Sequence, residues 1–307
     1  MAASPLVVAR PGQNLPLVPA TNCRTNQSTS IMIVRSRAPV RISFGGGGTD
    51  LSPYCDRHGG AVLSATINKY VYVTLLPKKT NDIRIISADY KRTFQFDNLN
   101  QVKFNGDTDL IKAVILRMQP NFGFDLFLRS DIPPNTGLGS SGAVATALIG
   151  AFNHLRHHRQ LNRYQIAELA FQIEQEDLHN VGGRQDQYAA AFGGFNLIEF
   201  KQDDFVRVIP VSISRDYVLE LEKHLVLAFI GPRGPSGAIQ SIMLKQQINQ
   251  PSRLTEQKKT AILHQLKQFC HLMHLSLTNG QLDDFGGLLD QSWRTKQTLS
   301  PEITTPR

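Results

Sequence analysis

Pro133-Pro134-Asn135-Thr136-Gly137-Leu138-Gly139-Ser140-Ser141-Gly142 lies between two segments of different period. Before it, Gly123 to Arg129 (GFDLFLR) reads as a strand; after it, Ala143 to Leu155 reads as an apolar helix. A glycine-rich turn that opens a helix can bind an anion. The first helical N–H groups have no internal partner and carry the positive end of the helix dipole. Glycines at 137, 139 and 142 leave no Cβ between those amides and a phosphate. The hydroxyls of Ser140 and Ser141 add oxygen ligands suited to Mg2+. Taken alone, the turn fits a plain glycine cap on a buried helix equally well. Its letters also match the dinucleotide fingerprint, but Ser130 to Thr136 separates strand from turn. Where that fingerprint needs an acid, about 20 residues on, the chain reads His157-His158-Arg159-Gln160-Leu161. No Gly-Lys-Ser/Thr follows, which excludes the usual P-loop.

Two more glycine-rich turns flank this one. Met32 to Phe44 is strand-like, interrupted at Pro39, and runs into Gly45-Gly46-Gly47-Gly48-Thr49-Asp50. Ordering four consecutive glycines is entropically unfavourable. They mark either a backbone that approaches a ligand or a flexible surface loop, and Asp50 can accept hydrogen bonds from sugar hydroxyls. Leu161 to His179 reads as a helix with Glu174, Glu176 and Asp177 in its last turn, where the dipole disfavours negative charge. Those acids serve a cation or are a solvated helix end. Next comes Val181-Gly182-Gly183-Arg184-Gln185-Asp186-Gln187-Tyr188, with an acid inside a glycine-rich turn.

The remaining pattern gives strands at Ala61–Leu76, Ile83–Ser87, Thr93–Phe96, Phe195–Phe200, Phe205–Ile213 and Leu225–Ile230. Helices are expected at Asp109–Met118, from the Gly231–Gly237 turn to about Ile248, at Ser252–Asn279 and at Leu282–Leu299. Met1 to Ser30 has no acid and no periodicity and reads as a disordered tail.

A chain of 307 residues that is 41% apolar and 19% charged is ordinary globular material with room for two domains. No run of about 18 apolar residues exists to span a membrane. Cys23, Cys55 and Cys270 have no metal spacing and are odd in number, which favours a reducing, cytoplasmic setting. The net charge of +8 attracts anionic ligands such as nucleotides or sugar phosphates. The basic residues are scattered and not interleaved with aromatics, which argues against nucleic acid.

Taken in order, Ala38-Pro39-Val40-Arg41-Ile42-Ser43-Phe44 with the glycines to Asp50, Pro133 to Ser141, and Gly182 to Gln187 resemble the motifs of the GHMP small-molecule kinases. The resemblance runs from about Val34 to the C-terminus. Phe44, the glycine run and Thr49-Asp50 are most similar to the D-glycero-D-manno-heptose 7-phosphate kinases. The resemblance implies an α+β, two-domain GHMP-kinase fold: a ribosomal protein S5 domain 2-like unit over 31–212 and a ferredoxin-like unit over 213–307. The second unit reads as incomplete, because no third glycine-rich run follows Gly231.

The resemblance also implies ATP and Mg2+ as cofactors. It gives Pro134, Gly137, Leu138, Gly139, Ser140 and Ser141 to the nucleotide phosphates. Ser141 and Glu174 would hold Mg2+, with Glu176 as the alternative acid. Asp186 would be the catalytic base, Arg41 would balance charge beside it, and Gly47, Asp50 and Gly183 would meet the acceptor. The implied reaction is phosphorylation of the anomeric hydroxyl of a sugar or sugar phosphate, foremost the heptose 7-phosphate to its 1,7-bisphosphate. Fucose, galactose or a related sugar are the other acceptors, and a weakly active homologue that only binds nucleotide is the alternative role. A phosphorylated acceptor needs a second basic pocket, for which Lys69, Arg57 and Arg233 are the candidates. The expected partner is this small molecule, not a nucleic acid or a membrane; oligomeric state is not legible.

Overall fold

The computed structural model describes residues 32–106, 108–156, 160–229, 256–300 and 303. The expected N-terminal tail, the glycine-proline turn at 231–237 and the helix after it lie outside these residues.

Strand β1 (Val34–Gly45) leads into a short helix, α1 (Tyr54–His58), and then into the long strand β2 (Gly60–Pro77). β1 and β2 pair antiparallel. The two halves of β2 take different partners, β5 (Phe124–Ser130) along Val71–Pro77 and β6 (Phe195–Phe200) along Gly60–Ala65. β3 (Ile83–Ser87) runs parallel to β5 and antiparallel to β4 (Arg92–Phe96), and β7 (Val206–Pro210) pairs with β6. The result is a seven-stranded mixed sheet in the order β4-β3-β5-β2-β6-β7, with β1 also on β2.

β5 shows why these segments are strands. Phe124, Leu126 and Leu128 are buried, while Asp125 and Arg129 alternate with them. Pro39 does not interrupt β1; the register shifts between Pro39 and Arg41 within a continuous strand. A bulge is where a sheet tolerates proline, and it re-aims the side chains beside it. Arg41 is the residue that this one aims.

α2 (Asp109–Met118) and α3 (Ser140–His154) cover the large core cluster under β2, β3 and β5. Half of the buried residues of α3 are Ala or Gly, and at Gly142 a neighbour approaches closely. α4 (Arg163–Gln172) starts at a full capping box made by Asn162 and Gln165. It ends in a π-helical turn, Ile173–Asp177, where the sequence pattern had predicted a continuous helix. α5 (Gln185–Phe192) follows.

Alternation along β2 divides the two layers. Val62 packs with Tyr188 and Ala189 of α5. Ala61 and Leu63 pack instead with Cys270, Met273 and Leu277 of α7 (Glu256–Thr278) and with Phe285 of α8 (Leu282–Gln297). Before them in the chain comes α6 (Arg215–His224), which the sequence pattern did not reveal, which the Ser214 side chain caps, and whose Leu221 joins the same cluster. The strand expected from Leu225 is absent: residues 225–229 form no strand, and Val226 is 92% exposed. An apolar run becomes a strand only where a sheet edge accepts it, and no described strand pairs with this one.

Candidate active site

The first turn of α3 has Gly139 at its cap position with φ +72, and no side chain caps it. α4 uses two side chains to cap its first turn, whereas the leading amides of α3 have no side-chain cap and can accept an anion. Gly139 is glycine for two reasons. Its backbone is left-handed, and a Cβ there would lie 3.2 Å from Asp186 Cγ and 3.4 Å from Arg41 Cζ. Gly142 is tighter, since its Cβ would meet the Asp186 and Gln187 backbone at 2.9 Å. The helix start and the Asp-Gln turn are therefore in contact through bare backbone. Leu138 accepts a hydrogen bond from the Arg41 amide at 3.0 Å. Pro134 is exposed at the outer edge of the turn. The Thr136 hydroxyl is buried with no protein partner.

Arg41 ties the turns together. Its Nε and one terminal nitrogen donate to Asp186 Oδ1 at 2.9 and 2.5 Å, and its other terminal nitrogen donates to the Gly137 carbonyl at 2.9 Å. Both charge-assisted contacts fall on one carboxylate oxygen. Oδ2 of Asp186 receives no hydrogen bond among the described residues.

Glu174 comes from the π-helical turn, a feature that often marks a functional site because it redirects one side chain. The turn separates the three acids at the end of this helix. Glu176 and Asp177 point out and pair with Arg117 at 2.6 and 2.8 Å. Glu174 points in, where Gln187 Nε2 donates to Oε1 at 2.8 Å and Ser141 gives a second hydrogen bond. Burial pushes the Glu174 carboxyl up to about 7; the nearby Asp186 charge adds to this, and the Gln187 and Ser141 hydrogen bonds oppose it. A buried carboxylate beside a hydroxyl at the head of α3 is an oxygen donor set that fits Mg2+. That ion is typically held by one or two carboxylates together with substrate phosphates. No group of three or more His, Cys, Asp or Glu that could hold a metal exists among the described residues.

The raised value has a testable consequence. Between about pH 4.5 and about pH 7 the unfolded chain carries Glu174 ionised while the folded chain keeps it protonated. Metal-free stability therefore falls as pH rises through this window, by up to about 3 kcal/mol. Glu174→Gln is expected to flatten that slope in denaturant titrations at several pH values. An unchanged slope contradicts it.

The glycine run at 45–48 is a buried turn rather than a flexible surface loop. A Cβ on Gly46 would lie 1.8 Å from the Ala61 carbonyl, and Thr49 Oγ1 bonds Gly46 and Ala61. Asp50 is 3% exposed, accepting from the Gly48 amide at 3.1 Å and from Gln185 Nε2 at 3.0 Å. Burial raises its carboxyl above the ordinary range, and the Gly48 amide opposes that shift. Gly183 lies directly on this carboxylate, its would-be Cβ 1.9 Å from Oδ2. Gln185 and Gln187 were not singled out from the sequence as site residues. Each donates its amide to one carboxylate and keeps its own carbonyl oxygen buried and unpartnered.

Comparison with known proteins gives the family. The profile of the GHMP kinases N terminal domain matches residues 109–194. D-glycero-alpha-D-manno-heptose 7-phosphate kinase of Campylobacter jejuni subsp. jejuni serotype O:2 is 34% identical over 276 residues, covering 88% of this chain and 79% of that protein. The chain belongs to the GHMP kinases. This GHMP kinase is accordingly a small-molecule phosphotransferase with an alcohol acceptor, and ATP is the phosphate donor of its family. Its fold is similar to that of a D-glycero-D-manno-heptose 1-phosphate kinase from Bacteriodes thetaiotaomicron. The TM-score is 0.68 at 31% identity, covering 87% of this kinase and 79% of that chain. The mevalonate kinase of Methanococcus jannaschii shares the α+β fold at 19% identity, with a TM-score of 0.64, covering 91% of this kinase and 82% of that chain.

Proposed function

We propose that this GHMP kinase phosphorylates the anomeric hydroxyl of a sugar phosphate, D-glycero-D-manno-heptose 7-phosphate foremost, giving the 1,7-bisphosphate. The observation that carries the reading is the contact of three turns at one point. Arg41 from the first turn bonds both the Gly137 carbonyl of the second and Asp186 of the third. The heptose kinase relative supports the choice of acceptor.

The chemistry follows from the charges. Phosphoryl transfer depends on in-line positioning and charge neutralisation more than on covalent help. The uncapped amides of Ser140, Ser141 and Gly142 bind the nucleotide's phosphates, with Gly137, Leu138 and Gly139 shaping the turn beneath them. Ser141 and Glu174 would hold Mg2+, which supplies neutralisation of the triphosphate. Asp186 orients the acceptor hydroxyl through Oδ2 and takes its proton, while Arg41 fixes Oδ1. Asp50 and Gly183 bound the acceptor's side of the site, with Gln185 holding Asp50 in place. The free, buried thiols of Cys55 and Cys270 suit a cytoplasmic location. No helix among the described residues is long and apolar enough to cross a membrane.

ADP release measured with ATP, Mg2+ and a set of acceptors tests the proposal. The heptose 7-phosphate is expected to give the highest kcat/KM, above fucose, galactose and mannose. Equal or better turnover of an unphosphorylated sugar would overturn the assignment of the acceptor.

A further inference from the structure

α7 buries a stripe of side chains, Lys259, Leu263, Leu266, Cys270, Met273 and Leu277, spaced alternately four and three residues apart. The first position of this core stripe holds a lysine, 4% exposed. Among the described residues Lys259 makes no hydrogen bond and no ion pair. A lysine is almost never buried without a partner, because an ammonium loses more on leaving water than its stem gains. The other buried lysine of the described residues obeys that rule. Lys112 donates to Asn105 and Asp109 and lies over the Phe94 ring.

Lys259 lines a cleft between α1 and α7, with Tyr54, Arg57 and His58 of α1 and with Glu256 and Thr260 of its own helix. The two walls are fixed to each other. Tyr54 is buried and shares a hydrogen bond of 2.8 Å with His264 Nδ1, and Lys267 donates to the His58 carbonyl at 2.8 Å. Leu51, Tyr54, Leu263 and Leu266 close the core beneath them. An ammonium, a guanidinium, an imidazole and a hydroxyl thus line one cleft. Glu256 is exposed and pairs with neither Lys259 nor Arg57. Asp50, Glu174 and Asp186 do not line the cleft.

We infer that this cleft binds a phosphate group, with Lys259 as its buried cation and Arg57 as its exposed one. A phosphate carries up to two negative charges and has more free oxygens than a carboxylate, which suits an ammonium beside a guanidinium. Binding it gives Lys259 the partner that the fold withholds. The group has two sources. One is the phosphorylated acceptor, since α1 begins four residues after Asp50; the other is free phosphate. The first rests on the sugar kinase reading and the second does not. Of the cations expected from the sequence, Arg57 lines this cleft. Lys69 is exposed on β2 and does not, and Arg233 lies outside the described residues.

Calorimetric titration with inorganic phosphate, mannose 6-phosphate, mannose and acetate tests the inference on wild type, Lys259→Met and Arg57→Gln. Lys259→Met is expected to weaken phosphate or mannose 6-phosphate about 10- to 100-fold, the range of one charge-assisted contact. Arg57→Gln, at an exposed position, is expected to weaken them several-fold. In phosphate-free buffer Lys259→Met is expected to melt no lower than wild type, since it removes an unpaired buried charge. Added phosphate is expected to raise the melting temperature of wild type but not of this variant. No binding of either phosphate to wild type, equal binding in Lys259→Met, or acetate as tight as phosphate would overturn the inference. So would a Lys259→Met that melts well below wild type without phosphate, because the lysine is then satisfied within the fold. The acceptor KM for the heptose 7-phosphate separates the two sources. A rise in Lys259→Met assigns the site to the acceptor, and an unchanged KM with lost phosphate binding assigns it to free phosphate. A wild-type chain that binds phosphate through Lys259 but transfers nothing to any sugar contradicts the kinase reading and leaves the site standing.

Discussion

Asp186→Asn is expected to lower kcat by about 10²- to 10⁴-fold, the usual contribution of a positioned general base. That is about 3–5 kcal/mol of transition-state stabilisation. ATP affinity is expected to change less than about 3-fold, because the amides at the head of α3 do not depend on this carboxylate's charge. The substitution keeps Oδ1 as an acceptor for Arg41, so the three turns stay joined. It removes the basic oxygen that faces the acceptor. Single-turnover kinetics with a parallel nucleotide titration separate the two effects. A variant that retains most of its kcat would mean that Asp186 only braces Arg41.

Gly183→Ala is expected to act through Asp50. The added methyl would sit 1.9 Å from Asp50 Oδ2 and 2.4 Å from its Cγ, so one of the two must move. Overpacking of this kind costs about 1–3 kcal/mol, and a displaced Asp50 also loses the Gly48 and Gln185 hydrogen bonds. A drop of several degrees in Tm is expected, together with a rise in acceptor KM of about 10-fold or more. Gly287→Ala is the control. It lies in α8 with nothing within 4 Å of its would-be Cβ, and it is expected to hold or slightly raise Tm. Similar melting curves for the two variants would show that Gly183 is not pressed against Asp50.

The three turns were legible because each is written in glycines whose absence of a side chain has a local cause. Gly139 and Gly46 have left-handed backbones, and Gly142 and Gly183 touch another segment. Long strands and helices were legible for the usual reason, since an apolar period of two or of 3.6 repeats along β2 and α3. The π-helical turn was not, because one extra residue in a turn leaves the apolar pattern of the preceding helix unchanged. That turn buries Glu174 and sends Glu176 to Arg117; from the motif, Glu174 came first with Glu176 as the alternative, and the turn itself was not legible. Gln185 and Gln187 are polar residues next to a conspicuous acid; only the fold shows that each reaches a different carboxylate. Leu225 to Phe229 failed in the opposite direction, with strand-like composition and no sheet edge to accept it.

The central claim is that the amides at the head of α3 present a nucleotide's terminal phosphate to a hydroxyl held by Asp186. Phosphorus NMR of a reaction containing ATP, Mg2+ and the heptose 7-phosphate tests it most directly. The account predicts a new phosphate resonance coupled to the anomeric proton, growing in step with ADP and nearly absent in Asp186→Asn. ADP that accumulates with only inorganic phosphate, or a new phosphate on any other carbon, would contradict it.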